Sequence, residues 1–163
     1  MLTLISCHSQ EEAAPKYPIK TLLHQKNWKV VSMQTVKESD GEMLDWYSQL
    51  PSCVKDNIFT TEAPGTGTVG ELHGEEGEVL CQENDLVYQP HIAGWKLNEQ
   101  HNIFSVSLFA SGHIMLYGYA MEESYDHENW MIEVLDKKTL QIRVSKTRDE
   151  IAYSVTVKFK ALP

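Results

Sequence analysis

The last stretch of the chain constrains the fold most. Ile151, Tyr153, Val155, Val157 and Phe159 alternate with Ala152, Ser154, Thr156, Lys158 and Lys160. A period of two places one set on a buried face and the other in water, the signature of an antiparallel strand covered on one side. Upstream, "NWMIEVL" and "TLQIRVS" are set off by Asp136 to Lys138 and by Lys146 to Glu150, which predicts a meander of three strands. The same alternation turns Leu140, Ile142 and Val144, and also Trp130, Ile132 and Val134, toward an interior.

The remainder reads the same way. "NWKVVSMQTV" (27–36), followed by the polar turn Glu38 to Gly41, predicts a first strand. "DNIFTT", "GEVLCQ" and "HIMLYGYAM" predict single strands, and "AGWKLNEQHNIFSVSLF" predicts two with a turn near Glu99 to His101. About eight short strands at regular spacing imply an all-β, up-and-down antiparallel barrel. Ile19 to Leu23 predict a helical turn closing one end. Within 37–56, Met43, Leu44, Trp46, Tyr47 and Leu50 are too apolar for a wet loop and predict a short helical segment, ended by Pro51, capping one end.

Composition bounds the partners. At 163 residues one domain is expected, and 14 Lys+Arg against 23 Asp+Glu give a net charge of −9. That charge repels phosphate backbones and anionic lipid, so nucleic acid is not an expected partner. Nothing is apolar for long enough to cross a bilayer as a helix, so any membrane attachment comes through an added anchor. The three cysteines, Cys7, Cys53 and Cys81, make an odd set that calls for explanation in an exported chain.

Leu4-Ile5-Ser6-Cys7 resembles the lipobox of bacterial lipoproteins, which implies cleavage before Cys7 and lipid on its sulfur. No Lys or Arg precedes Cys7, a departure from that pattern. Ser9 to Pro15 read as a hydrated tether, and the region to residue 26 as signal and tether ahead of a barrel domain over 27–163. Within that domain, Trp28, the segment "PSCVKDNIFT", the run "CQENDLVYQPHIAGWKLNEQHNIFSV" and the closing "YSVTVKFKALP" resemble the lipocalin-like domains of Gram-negative lipoproteins. Cys53, Lys55, Asp56, Asn57, Cys81, Trp95, Leu97 and Asn98 stand at the places of that pattern, while Lys26 stands where the family has Gly. The resemblance implies a cell-envelope location, in the periplasm or lipid-anchored to the outer membrane. With Cys7 lipidated, Cys53 and Cys81 are left to form a disulfide in an oxidising compartment; reduced, they would serve as small apolar residues.

Several other patterns lead nowhere. "GTGTVG" (65–70) matches a dinucleotide fingerprint, but glycines and acids follow it where a helix is required, and it reads as a hairpin loop. The seven histidines lack metal-ligand spacing, and the acids of 71–78 and 122–128 match no calcium loop, so no metal or cofactor is expected. No nucleophile motif occurs and no enzyme is expected. Trp46, Tyr47, Tyr117, Tyr119 and Trp95 are the candidates for lining a barrel mouth and holding a small apolar ligand, although Trp95, like Trp28 and Trp130, also suits a core. Two functions follow: a non-catalytic carrier of a small hydrophobic ligand, or a packed barrel whose loops bind a protein partner. An internal cavity favours the first, and a packed interior with an exposed apolar loop patch the second.

Overall fold

The computed structural model describes residues 19–24, 26–62, 68–81, 93–107 and 128–163. Its strands are β1 (Asn27–Lys37), β2 (Met43–Asp45), β3 (Ile58–Glu62), β4 (Val69–Glu75), β5 (Ala93–Asn98), β6 (Ile103–Ser107), β7 (Glu128–Leu135), β8 (Thr139–Arg148) and β9 (Ile151–Ala161). All neighbours pair antiparallel in the order β1-β3-β4-β5-β6-β7-β8-β9. The sheet then closes on itself, because β9 also runs the length of β1, from Trp28 opposite Ala161 to Lys37 opposite Tyr153. The expected eight-stranded up-and-down barrel is therefore present. β2 is an extra strand on the upper part of β1, with Gln34 opposite Asp45 and Val36 opposite Met43.

Two bulges set which residues face inward. In β1 the register shifts between Val30 and Ser32, so Trp28 and Val30 point inward below it and Met33 and Thr35 above it. In β7 the shift lies between Ile132 and Val134. Strict alternation placed Val134 inside; instead Glu133 is the extra residue, Val134 is 40% exposed, and Leu135 packs on the core. Glu133 uses its displaced position to pair with Arg143 at 2.5 Å and to accept from Gln141 at 2.9 Å.

β4 corrects a second expectation. The strand lies at 69–75, within the glycine- and acid-rich stretch read as loop, while most of "GEVLCQ" runs outside any strand, with Val79 46% and Leu80 70% exposed. Cross-strand pairing explains why so polar a segment is a strand. Gly70 stands opposite Trp95 and Gly74 opposite Phe59, so the missing side chains leave space for the rings, with Leu72 buried between. Among the turns, Arg148 pairs with Ile151 across Asp149 and Glu150, both at positive φ (50° and 64°), a two-residue hairpin of type I′. β8 thus continues through Lys146, a residue that the sequence pattern puts in the turn. "HIMLYGYAM" lies outside the described residues.

The two ends of the barrel differ. At the end where β1 begins, α1 (Ile19–Leu23) packs Ile19 and Leu23 into the core, and the Leu23 carbonyl accepts from the buried Thr61 hydroxyl. His24 meets Trp95 edge-on at 5.8 Å. This is the closing helical turn expected at 19–23, and the folded unit includes it. The side chains of Trp28, Trp95, Trp130, Ile142 and Val157, almost wholly buried, fill the barrel above α1. We call this the closed end. At the other end the chain leaves β4 at Glu75, returns at Ala93, leaves β6 at Ser107 and returns at Glu128. That is the loop-bearing end.

Candidate functional site

The loop-bearing end carries the second cap. After β2 the chain makes α2 (Trp46–Gln49) and α3 (Ser52–Lys55) before descending in β3. Asp45 caps α2, its carboxylate accepting from the Ser48 N–H at 3.2 Å. Pro51 separates the two helices, as expected of a residue that does not continue a helix. Met43 and Leu44, expected in the same apolar segment, instead form β2 and stay 59% and 44% exposed.

α2 packs against β1. β1 is paired to β3 at Asn27–Lys29 and to β2 at Gln34–Val36. Trp46 and Tyr47 pack against the core, and the Trp46 indole N–H donates to the Thr35 hydroxyl at 3.0 Å. Thr35 is itself buried, so this bond satisfies a hydroxyl inside the wall. Lys55 lies 5.5 Å from the Tyr47 ring centroid and donates to the Ser48 carbonyl at 3.0 Å. Burial pushes the Tyr47 hydroxyl above its ordinary titration range.

A disulfide holds the cap down. Cys53 in α3 is bonded to Cys81, the bridge expected from the cysteine arithmetic. The 76–81 segment lies against Asp56, whose carboxylate accepts from the Val79 N–H at 2.9 Å, and a side chain at Gly77 would meet Asp56 at 2.5 Å. The Glu76 carboxylate accepts from the Cys81 N–H at 2.9 Å.

The upper parts of β8 and β9 lie at the same end of the barrel, with β9 paired to β1. Cross-strand register stacks the inward residues in layers: Ile142 with Val157 and Met33, then Val144 with Val155 and Thr35, then Lys146 with Tyr153 and Lys37. Burial is complete in the lowest layer and partial at Val144, Lys146 and Tyr153. The barrel is filled below and open to partial exposure above. Lys37 is held by Asp40 at 2.6 Å, which raises the lysine and lowers the carboxyl from their ordinary ranges, first through the hydrogen bond. Burial pushes Lys146 down.

The sequence-predicted residues fall into three groups. Trp46 and Tyr47 come together at the mouth. Trp95 does not join them: it is 2% exposed in the lower half, with its N–H shared between the Glu62 and Glu71 carbonyls, which suits the core role. Tyr117, Tyr119 and Cys7 lie outside the described residues. Lys146 and Tyr153, which stand opposite each other in the β8–β9 hairpin at the same end of the barrel, are not among the sequence-predicted candidates. Among the described residues no group of three or more His, Cys, Asp or Glu is placed to hold a metal ion. His73 Nε2 lies 3.1 Å from a carboxylate oxygen of Glu71 and 3.7 Å from one of Glu62. Comparison with protein-family models, curated proteins and solved structures finds no match to this chain.

Proposed function

We propose that this chain is a non-catalytic, lipid-anchored module of the bacterial cell envelope, resembling lipocalin-like lipoprotein domains, that binds a small apolar ligand at the loop-bearing mouth of its barrel. The change from complete burial at Ile142 and Val157 to partial exposure at Val144, Lys146 and Tyr153 carries this reading. It leaves apolar wall beneath polar tips, at the same end of the barrel as Trp46 and Tyr47, the mixture that suits a small ligand. The ligand therefore sits in the upper barrel, above the packed tryptophans, and does not thread the lumen.

The Cys53–Cys81 bridge supports an oxidising compartment. With it paired, Cys7 is left as the lipid acceptor. The test is titration of the purified domain with an environment-sensitive apolar dye, with Trp46→Ala as the comparison. Saturable binding, weakened by the substitution, is expected; no saturable binding would overturn the reading.

A second reading rests on Met43, Leu44, Val79 and Leu80, apolar side chains left exposed in the cap and in the segment bridged to it. These suit a protein partner docking on the same end. Charged substitutions at Leu44 and Leu80 separate the readings, since they would abolish partner capture and spare dye binding.

A further inference from the structure

Two neighbouring strands and a turn gather lysines on the outer wall near the closed end. Lys29 of β1 stands directly opposite Lys160 of β9, and Lys158 lies two residues along the same strand, opposite Ser32 and Gln141. All three alternate with the buried Trp28, Val30, Val157 and Phe159, so they point outward. The turn before β8 adds the exposed Lys138, whose carbonyl accepts from the Ala161 N–H, and Lys26 reaches the same turn, its ammonium donating to the Lys137 carbonyl at 2.8 Å. The chain has 14 Lys and Arg against 23 acids, so five lysines in one place are a concentrated charge.

Folding does not ask for this arrangement. Like charges directly across a ladder repel, so Lys29 opposite Lys160 lowers stability. Lysine guards free sheet edges, but Lys29 is paired on both sides, to Ile58 and to Lys160, and β9 is paired to both β8 and β1. Asp136 and Glu133, beside the patch, are engaged: the first accepts from the Lys138 and Thr139 N–H groups, the second holds Arg143 and Gln141. Exposed acids gather instead at the loop-bearing end. There Glu38 and Glu42 flank the β1–β2 turn and Asp149 and Glu150 form the β8–β9 turn, the two joined by the Glu38 N–H donating to the Ala152 carbonyl.

On the reading that Cys7 carries lipid, we propose that the lysine face rests on an anionic phospholipid surface and turns the loop-bearing mouth away from it. The chain enters the barrel at α1, at the closed end, and from Cys7 to Ile19 it spans at most about 40 Å, so the anchor keeps this patch near the membrane. Lipid phosphates supply the charge that the lysines complement within a Debye length of about 8 Å. Glu38 lies about 30 Å along β1 from Lys29, so the acidic rim is several such lengths away and the net charge of −9 does not prevent contact.

The test couples the full chain through the Cys7 thiol, left over by the Cys53–Cys81 bridge, to a maleimide-bearing lipid in vesicles. Phosphatidylglycerol-rich and pure phosphatidylcholine bilayers are compared by lysine acetylation, read residue by residue in mass spectrometry. On the anionic bilayer Lys138, Lys158 and Lys160 are expected to be protected while Lys55 of α3 reacts as on phosphatidylcholine, and about 0.5 M salt should abolish the difference. Each lysine at such a surface is worth about a fivefold shift in the docked-to-lifted ratio. Lys158→Gln with Lys160→Gln should therefore lower that ratio about 25-fold and unmask Lys138, whereas Lys158→Arg with Lys160→Arg should keep it covered. Equal acetylation on both bilayers would overturn the docked face. So would protection on phosphatidylcholine as well, which is contact between copies, or protection by soluble polyglutamate in place of the anionic bilayer, which is recognition of an acidic protein segment. Chemical coupling supplies the anchor in every arm, so failure of the face is distinct from failure of the lipid-anchored reading, which the intact mass of the chain from its native membrane decides.

Discussion

Three residues show how single side chains settle local questions. Trp46→Phe keeps a ring packed against the core and removes its N–H, leaving the buried Thr35 hydroxyl without that donor. A loss of about 1–2 kcal/mol is expected in urea unfolding, with the far-ultraviolet spectrum unchanged. Glu150 occupies a left-handed conformation that an L side chain resists, so Glu150→Gly should gain up to about 1 kcal/mol in the same measurement. Lys146 gives a pH dependence. Its value in the folded chain is pushed below the ordinary 10.5, so between the two the unfolded chain holds more protons, and stability rises with pH through that window. Lys146→Met should flatten the rise when urea midpoints are compared over the pH range below 10.5.

Elements were legible in proportion to how completely their inward face is apolar. β9 shows its alternation openly and occupies the expected residues, 151–161. β4 conceals it, because two of its inward positions are glycines whose space is taken by rings on other strands, and only the paired sequences together reveal the fit. "GEVLCQ" misled in the opposite sense, since its apolar residues are held at the surface by a disulfide and by Asp56. The cap's aromatic content was readable, but the upper end of β8 was not: the charged Lys146 looks like turn until β8 is seen to run on to Arg148. The cap and the 76–81 segment should behave as one unit. Replacing Cys53 and Cys81 by serine opens a link across 28 residues and should cost about 3–4 kcal/mol in chemical unfolding. Gly77→Ala, by crowding Asp56, should accelerate amide exchange at Val79 while leaving the amides of β8 and β9 slow.

At the scale of the molecule, closure is made by the strands farthest apart in sequence, β1 and β9. Their pairing gives a high contact order, and the disulfide-intact chain should refold in milliseconds to seconds, slower than a helical domain of equal length, as read by stopped-flow tryptophan fluorescence. The closed end, with α1 and the buried tryptophans, carries most of the packing, and the loop-bearing end carries the half-exposed groups. The bulges at Val31 and Glu133 extend this division to changes in chain length. A strand counts in twos, so losing a residue from its middle inverts one part of it, turning apolar side chains to water and wet ones inward. Val31 and Glu133 are exceptions, because each is the surplus member of its ladder. Removing either leaves Met33 or Leu135 still facing the core in a straighter strand, and removing Glu133 also gives up its contacts to Arg143 and Gln141. Among the described strands the barrel wall thus has two places where a deletion preserves the reading frame of its two faces.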